Sequence, residues 1–255
     1  MKYIKYAFVV FLCVFSFYFS DRVIIFVENQ SPIMKEIKAN SESLRSEPVN
    51  AVIDGNTIVP GQNGYEVNER ESYLKMNEFG AFNDTFYVYD AILPEVSLYD
   101  NLDKIIIRSS KNDSVALIVE SSKLAEYLDS VGITYSKIIY EADEAIEDQE
   151  YLNGNAYEED FDELNSFFKR KKMNNKICVI GYSNLSLCKK YEYFLVSPSV
   201  VVYPSNLADA KSRLSGGDIV LLSDSLSLGE AKIIVNQLKY KSLNFVELST
   251  LISEE

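Results

Sequence analysis

Val115-Ala-Leu-Ile-Val119 is the stretch that decides the fold, together with Asp218-Ile-Val-Leu-Leu222 near the other end of the chain. Both are short and almost entirely apolar, which is typical of strands that are buried on both faces of a parallel sheet. Further short apolar runs lie around them, and helical segments alternate with these runs. This alternation predicts an α/β domain over residues 104–255.

The predicted elements follow from this alternation. The strands cover residues 104–108, 115–119, 133–140, 176–180, 199–202, 218–222 and 245–247. The helices between and after them cover residues 123–130, 161–172, 186–191, 207–213, 228–240 and 248–253.

The composition excludes several classes of function. The chain has 255 residues, of which 47% are hydrophobic, so a packed core is available. Its net charge of −13 argues against nucleic-acid binding, which needs a basic face. The chain contains no histidine, which removes the commonest general base, a frequent zinc ligand and every nucleophile that imidazole activates.

The acidic charge is concentrated in one stretch. Eleven of the 38 acidic residues lie within residues 141–165, which contain no Lys or Arg. We interpret this stretch as a solvated loop inserted into the α/β domain, with loose calcium binding as the alternative.

The chain begins with an apolar segment. Lys2 and Lys5 precede an apolar run over residues 6–20, and a second run follows at residues 23–27. We predict an uncleaved signal anchor over residues 1–30 that crosses the membrane, because no pair of small residues marks a cleavage site. The positive flank would stay in the cytoplasm and the rest of the chain would be exported. A cleaved signal peptide and a buried soluble helix are the alternatives.

Two smaller segments connect the anchor to the α/β domain. Residues 31–46 are predicted to form a juxtamembrane helical stalk. Residues 47–103 are predicted to form a small β-rich module, in which Asp54-Gly55 marks a hairpin turn and residues 69–79 form a helix.

The cysteines give little information about the compartment. Cys13 lies in the predicted anchor, and Cys178 lies within an apolar run. We favour a buried free thiol for Cys178, and pairing with Cys188 in an oxidising compartment is the alternative.

Serine and tyrosine side chains are further candidate functional groups. Ser183 and Ser223 would need a lysine base as nucleophiles, and no S-x-x-K pattern combines with a G-x-S-x-G elbow here. Ser223 is therefore interpreted as the polar end of a buried strand or a helix cap. Tyrosine rings can stack on sugars, although core packing is the favoured role for most of the 18 tyrosines. The candidates for stacking are Tyr87, Tyr89, Tyr191 and Tyr193.

Three segments resemble the polysaccharide deacetylase family, carbohydrate esterases that remove acetyl groups from cell-wall glycans. Residues 115–120 resemble the family's first strand, V-A-L-T-F-D-D-G, and residues 123–139 resemble the helix and second strand that follow it. Residues 215–223 resemble its G-x-I-x-L-x-H segment, and residues 238–251 resemble its ending, L-K-x-K-G-Y-x-F-V-T-L-S-E-L. The N-terminal half is similar to the membrane-tethered members of the family in low-GC bacteria. The resemblance implies an incomplete β/α barrel.

The same resemblance implies that the catalytic site is vestigial. The family holds a divalent metal with an Asp and the two His of an H-x-x-x-H motif, while a second Asp acts as base and a C-terminal His as acid. Here Glu120 stands at the base position, Ser121 at the metal-binding Asp position and Ser223 at the acid position. The H-x-x-x-H pair is absent, and the acidic stretch replaces its region. We therefore expect no catalytic residue, no metal and no other cofactor.

The expected function is that of a degenerate, membrane-anchored, extracytoplasmic deacetylase-like protein. Its expected partner is cell-wall glycan or an envelope protein, and nucleic acid is not expected. The first alternative is a residual carbohydrate deacetylase in which carboxylates of the acidic stretch hold a hard cation such as magnesium. The second alternative is a structural protein of envelope assembly.

Overall fold

The computed structural model describes residues 2–145, 149–173 and 176–255. Its helices and strands, in chain order, are α1 (Lys2–Gln30), α2 (Pro32–Ser41), β1 (Val52–Asp54), β2 (Thr57–Val59), β3 (Gly64–Val67), α3 (Glu69–Phe79), β4 (Tyr89–Ile92), β5 (Ile105–Ile106), β6 (Ser114–Val119), α4 (Ser122–Ser130), β7 (Ser136–Ile139), β8 (Glu150–Asn153), α5 (Glu158–Lys171), β9 (Ile177–Val179), α6 (Leu185–Lys190), β10 (Phe194–Val196), β11 (Val200–Val202), α7 (Leu207–Arg213), β12 (Ile219–Leu222), α8 (Leu228–Tyr240), β13 (Asn244–Phe245) and α9 (Leu248–Ile252).

The chain forms two compact units. The first unit contains Met1–Pro48 and Gly64–Ile92, and the second contains Val49–Asn63 and Leu93–Glu255. This division differs from the predicted boundary at residue 104. The β1–β2 hairpin belongs to the second unit because β2 pairs in parallel with β5.

The first unit combines α1, α2 and α3 with the antiparallel pair of strands β3 and β4. The predicted helix over residues 69–79 is confirmed as α3, whose amino end is capped by Asn68 and whose carboxyl end is closed by Gly80 at φ +84°. The core of the first unit consists of side chains from α2, β3 and α3, namely Met34, Ile37, Val67, Tyr73 and Met76.

The predicted N-terminal anchor lies in α1, a helix of 29 residues. Several of its apolar side chains are exposed, including Phe11, Phe15 and Phe26. No helix within the described residues reaches the length and apolarity that crossing a membrane requires. The membrane-spanning segment stays a prediction.

The second unit confirms the predicted α/β class. One sheet has the strand order β1-β2-β5-β10-β9, and the other has the order β11-β12-β6-β7-β8, with β13 also paired to β6. Within the described residues of this unit, the β1–β2 pairing is antiparallel and the other pairings between strands are parallel.

Alternation along the strands separates an inner core from an outer one. In β6, Ala116 and Ile118 point into an interior shared by both sheets and α9, whereas Leu117 and Val119 pack outward against α4, α7 and α8. All four side chains are fully buried. Strands covered on both faces need continuous apolar sequence, which explains the pattern of residues 115–119.

The interpretation of residues 141–165 as a solvated loop is wrong for most of its length, although residues 146–148 lie outside the described residues. Residues 150–153 form β8, which is buried and pairs in parallel with β7. From residue 158 the chain forms α5. The acidic residues of its first turn interact favourably with the positive end of the helix dipole. The high charge of this stretch led to a loop being predicted where the structure has a strand and the amino end of a helix.

Glu150 explains how a charged residue can occupy a buried strand. It is 5% exposed, and its carboxylate accepts hydrogen bonds from the amides of Leu248 at 2.8 Å and Ser249 at 3.1 Å. The hydroxyl of Ser136 also donates to it. These amides belong to the first turn of α9, so the buried charge caps a helix at the amino ends of β7 and β8.

The free-thiol interpretation of Cys178 is wrong in this structure. Cys178 in β9 forms a disulfide with Cys188 in α6, across a Cα–Cα distance of 6.1 Å. The two cysteines meet because α6 packs back against β9, a contact that their spacing of ten residues does not reveal.

Candidate functional site

The carboxyl ends of β6 and β12 form the centre of the candidate site. These neighbouring parallel strands are paired so that Leu222 lies opposite Val119. Ser223 follows Leu222 and Glu120 follows Val119, so the structure brings these two predicted site residues side by side. Functional groups in parallel α/β folds collect at this end of the strands.

Glu120 is held by a tyrosine at the end of the adjacent strand β7. The Tyr140 hydroxyl donates a hydrogen bond of 2.6 Å to Glu120 Oε1. Partial burial raises the pKa of Tyr140, and the bond to Glu120 raises it further because both favour the neutral phenol. Near neutral pH, Tyr140 is therefore a hydrogen-bond donor to the carboxylate.

Two more tyrosines lie at the same ends of the strands. Tyr182 follows β9, and partial burial together with the negative charges of Glu120 and Asp224 raises its pKa. Tyr203 follows β11 and is 45% exposed. The carboxyl ends of these strands therefore carry the hydrogen-bonded carboxylate of Glu120 and three phenol groups.

Ser121 and the residue after it close the β6 side of the site. Ser121 is the N-cap of α4, although its side chain makes no capping hydrogen bond. The Lys137 ammonium donates to the Ser122 hydroxyl at 3.2 Å and lies 3.8 Å from Glu144 Oε2. Lys137 is therefore engaged with Ser122 and Glu144 beside the site.

Ser223 has a local structural role. It is 8% exposed, and its hydroxyl lies 2.8 Å from the Ser225 hydroxyl and 3.4 Å from Asp224 Oδ1. Its Oγ also accepts a hydrogen bond from the Ser225 amide at 3.3 Å. These contacts agree with the interpretation of Ser223 as the polar end of a buried strand.

Ser183, the other candidate nucleophile, also forms a hydrogen bond. The Ser183 hydroxyl donates to the carbonyl of Asn153 at 2.6 Å. This bond links the loop after β9 to the end of β8 and does not activate the oxygen as a nucleophile.

A separate acidic cavity adjoins Tyr140. It has a volume of about 450 Å³ and is lined by residues that follow β7 and β8 and by the first turns of α5: Tyr140, Glu141, Ala142, Asp143, Asn155, Asp160, Glu163 and Leu164. Within the part of the chain that the structure describes, no three acidic or cysteine side chains group closely enough to hold a metal ion.

The strand-end residues do not fit the divalent metal that the deacetylase resemblance implies. Glu120 supplies one carboxylate, and Tyr140 already donates to it. Ser121 and Ser223 would supply neutral hydroxyls, which are weak ligands beside carboxylate and imidazole. We therefore derive no step through a bound metal.

Sequence reasoning missed the three tyrosines as site residues. The available signal was positional, since Tyr140, Tyr182 and Tyr203 each follow a short apolar strand within three residues. Polar aromatic residues at the carboxyl ends of parallel strands face the same edge of the sheet, so the pattern was readable once the strands were assigned.

Comparison with known sequences gives a partial match. No family model matches the chain. An uncharacterized protein of Bacillus subtilis (strain 168), YlxY, is 29% identical over 105 residues. The match covers 40% of this chain and 33% of that protein, so the chain spans about a third of the length of its relative.

Comparison with solved structures defines the class of fold as that of the CE4 polysaccharide deacetylases. The wild-type pseudoenzyme BA3943 of Bacillus anthracis superposes with a TM-score of 0.58 at 18% identity, covering 88% of this chain and 96% of that one. A mutant of BA3943 with restored enzymatic activity gives a TM-score of 0.57 at 18% identity, covering 88% of this chain and 99% of that one. The structural neighbours thus include a pseudoenzyme, and the likeness at this identity establishes a mixed α/β fold resembling CE4 deacetylases.

Proposed function

We propose that this protein is a catalytically inactive, deacetylase-like protein that is tethered to the membrane, faces outward, and binds cell-wall glycan at the carboxyl ends of its parallel strands. One observation carries the proposal. At the position where β6 and β12 end, Glu120 accepts a hydrogen bond from Tyr140. The deacetylase resemblance assigns a metal ligand and an acid to the positions of Ser121 and Ser223, which offer only hydroxyls.

The chemistry of acetyl hydrolysis supports the inactive assignment. Such hydrolysis uses a metal to polarise the carbonyl and to lower the pKa of the attacking water. A lone carboxylate that already accepts a phenol hydrogen bond offers neither function. The neighbour BA3943 is a pseudoenzyme, and one of its mutants has restored enzymatic activity. This neighbour supports the idea that the fold can be kept in a protein that lacks catalytic activity.

The tyrosines support glycan binding. Tyr140, Tyr182 and Tyr203 follow strands at the same ends as Glu120. Their rings can stack on the C–H faces of sugars, and their hydroxyls can hydrogen-bond to sugar hydroxyls. A carboxylate among such rings is a suitable acceptor for paired sugar hydroxyls. The second possibility is that the partner is an envelope protein, and the binding experiment below distinguishes it from glycan binding.

Two features support an external, membrane-tethered location. The Cys178–Cys188 disulfide suits an oxidising compartment outside the cytoplasm. The apolar sequence of α1 follows Lys2 and Lys5, and a positive flank of this kind is retained on the cytoplasmic side.

The test of inactivity uses the full chain, purified in mild detergent. It is incubated with chitin oligomers and with acetylated peptidoglycan, each with added zinc, cobalt or manganese. We expect no release of acetate above that of a heat-treated sample. Metal-dependent release would overturn the assignment and favour a residual deacetylase with a rearranged site.

The test of binding uses co-sedimentation with peptidoglycan sacculi. We expect the wild type to co-sediment and the Tyr182→Ala/Tyr203→Ala variant to bind more weakly. Tyr240→Ala is the matched control, because Tyr240 is 84% exposed and is the last residue of α8, whose first turn follows the carboxyl end of β12. Equal retention of all three proteins would refute binding at this edge, and absence of retention would favour a role in envelope assembly.

A further inference from the structure

A cavity of about 610 Å³ lies beside α5, at the amino ends of β9 and β10. Among the described residues, Asp162 and Asn165 of α5 line one part of it, and Tyr193, which precedes β10, lines another. Tyr193 is one of the four tyrosines predicted as candidates for stacking on sugars. We call this space the α5 cavity, and the function proposed for the Glu120 edge does not use it.

Asp162 has one carboxylate oxygen to offer to a ligand. Its Oδ1 accepts a hydrogen bond of 2.7 Å from the Tyr191 hydroxyl, which holds the side chain in place. Within the part of the chain that the structure describes, Oδ2 has no hydrogen-bond partner and Asp162 forms no ion pair. A carboxylate oxygen can accept more than one hydrogen bond, so Oδ2 is an acceptor for the hydroxyl groups of a ligand.

The amide of Asn165 is oriented by a buried neighbour. Asn153 is 2% exposed, and its NH₂ group donates to the Phe161 carbonyl and to Asn165 Oδ1, each at 3.0 Å. Because this bond occupies the oxygen of Asn165, the NH₂ group is the end left for a ligand, and it has no partner among the described residues. Asp162 and Asn165 are three residues apart on one helix, so an acceptor and a donor lie on the same face.

Tyr193 adds an aromatic ring and a hydroxyl to the α5 cavity. Its ring packs against the fully buried Phe161, with centroids 6.0 Å apart. A ring held in place before a ligand arrives binds at a lower entropic cost than a mobile ring. Burial raises the pKa of Tyr193, and the neighbouring Tyr191 and Asp162 raise it further, so the phenol is protonated near neutral pH.

The charges of the cavity favour a neutral ligand. Its described lining contains one carboxylate, Asp162, and two ammonium groups, those of Lys169 and Lys176. Charges of both signs give little net attraction for an ion. Phe168 and Met173 add apolar surface. Apolar and aromatic surface with a few placed polar groups is the usual make-up of a small-ligand site, and the volume is within the usual range of about 300–1,000 Å³.

We propose that the α5 cavity is a second binding site, which takes a neutral sugar. The free oxygen of Asp162 would accept hydrogen bonds from sugar hydroxyls, and the NH₂ group of Asn165 would donate one to a sugar oxygen. The C–H face of the sugar would pack on the Tyr193 ring, which is apolar on its face and polar at its tip.

The make-up of the cavity favours sugar over an extended peptide. Such a peptide gains affinity mainly by pairing its backbone with an exposed strand edge. Here the polar groups belong to side chains, and the neighbouring strand β9 is buried along its whole length. Sugar hydroxyls can use such side chains directly.

The test measures binding of diacetylchitobiose to the full chain in mild detergent, by saturation-transfer difference NMR. All proteins carry Tyr182→Ala/Tyr203→Ala, which removes two of the rings proposed to bind at the Glu120 edge. In this background we expect saturable binding. Asp162→Asn keeps an oxygen for Tyr191 and should weaken binding roughly tenfold, because an NH₂ group replaces the free acceptor. Tyr193→Ala should weaken it roughly fivefold through loss of the ring.

Glu159→Gln is the matched control for Asp162→Asn. Glu159 is an exposed carboxylate on the same helix and is not among the described residues that line the cavity. This control should bind diacetylchitobiose like the background protein. Tyr193→Phe keeps the ring and should retain more binding than Tyr193→Ala. Thermal unfolding shows whether each variant is folded, and Asp162→Asn still decides the matter if Tyr193→Ala unfolds.

Three results would overturn the proposal. The first is absence of diacetylchitobiose binding in the background protein, and the second is equal affinity in Asp162→Asn, Tyr193→Ala and the Glu159→Gln control. The third is binding of the charged dipeptide glycylglycine without binding of the sugar. Failure of the sacculus test counts against the Glu120 edge alone, whereas failure here counts against the α5 cavity alone, because the background lacks both rings of that edge.

Discussion

Tyr140 donates a hydrogen bond of 2.6 Å to Glu120, across the carboxyl ends of two neighbouring parallel strands. This bond joins a residue that the sequence singled out to one that it did not. It gives the carboxylate a structural partner at the carboxyl end of β6.

Tyr140→Phe removes this bond and leaves the ring in place. We expect the free energy of unfolding to fall by about 1 kcal/mol or less, because the tyrosine is partly exposed to solvent. Urea unfolding monitored by circular dichroism measures the change. Tyr240→Phe on α8 serves as control, and an equal effect of both substitutions would argue against the bond.

The raised pKa of Tyr140 and Tyr182 predicts sensitivity to alkali. Burial is the larger cause in both, and it favours the neutral phenol in the folded state. An unfolded tyrosine ionises near pH 10, so the contribution of these groups to stability is complete below about pH 10 and falls as the pH rises toward the folded pKa. Stability measured from neutral to alkaline pH should decline above this point. The decline should be smaller in Tyr140→Phe, and an unchanged profile would contradict the assignment.

Glu150→Gln tests the buried cap of α9. The substitution keeps the size but replaces an acceptor oxygen with an NH₂ group that faces the amides of Leu248 and Ser249. We expect a loss of about 2–4 kcal/mol in the free energy of unfolding, since buried donors are left without a partner. Chemical denaturation measures the loss. Glu126→Gln, at an exposed position of α4, should change little, and a neutral result for Glu150→Gln would show that the cap is dispensable.

Cys178→Ser/Cys188→Ser tests the disulfide. Removal of the cross-link should lower the free energy of unfolding by about 2–4 kcal/mol, mainly because the unfolded chain gains freedom. Mass spectrometry after thiol alkylation under non-reducing conditions reports whether the bond is present in the wild type. Two alkylated thiols at these positions in protein from an oxidising compartment would refute the pairing.

The triple variant Glu120→Asp/Ser121→Asp/Ser223→His restores the residue types of the family at three positions. We expect no stoichiometric zinc and no acetate release, because two histidine ligands are still missing. Elemental analysis measures the metal, with the wild type as the comparison. Stoichiometric zinc in the variant would show that carboxylates after β8 complete a metal site.

The sequence was informative wherever a segment was apolar and regular. Residues 115–119 and 218–222 were predicted as buried strands and are β6 and β12, and residues 228–240 match α8. β10 was not predicted, and β8 was missed because its charge suggested a loop. The resemblance correctly indicated a mixed α/β fold similar to that of CE4 deacetylases, and Glu120 and Ser223 do follow neighbouring strands.

The sequence by itself determined the α/β class and the lack of imidazole chemistry, because both depend on composition and on local periodicity. Only the tertiary structure decided that Glu150 is a buried helix cap, that Cys178 and Cys188 pair, and that Tyr140 binds Glu120. Each of these contacts joins residues whose approach is set by strand order and helix packing. A local pattern records which face a side chain occupies, and it does not record which distant group that face will meet.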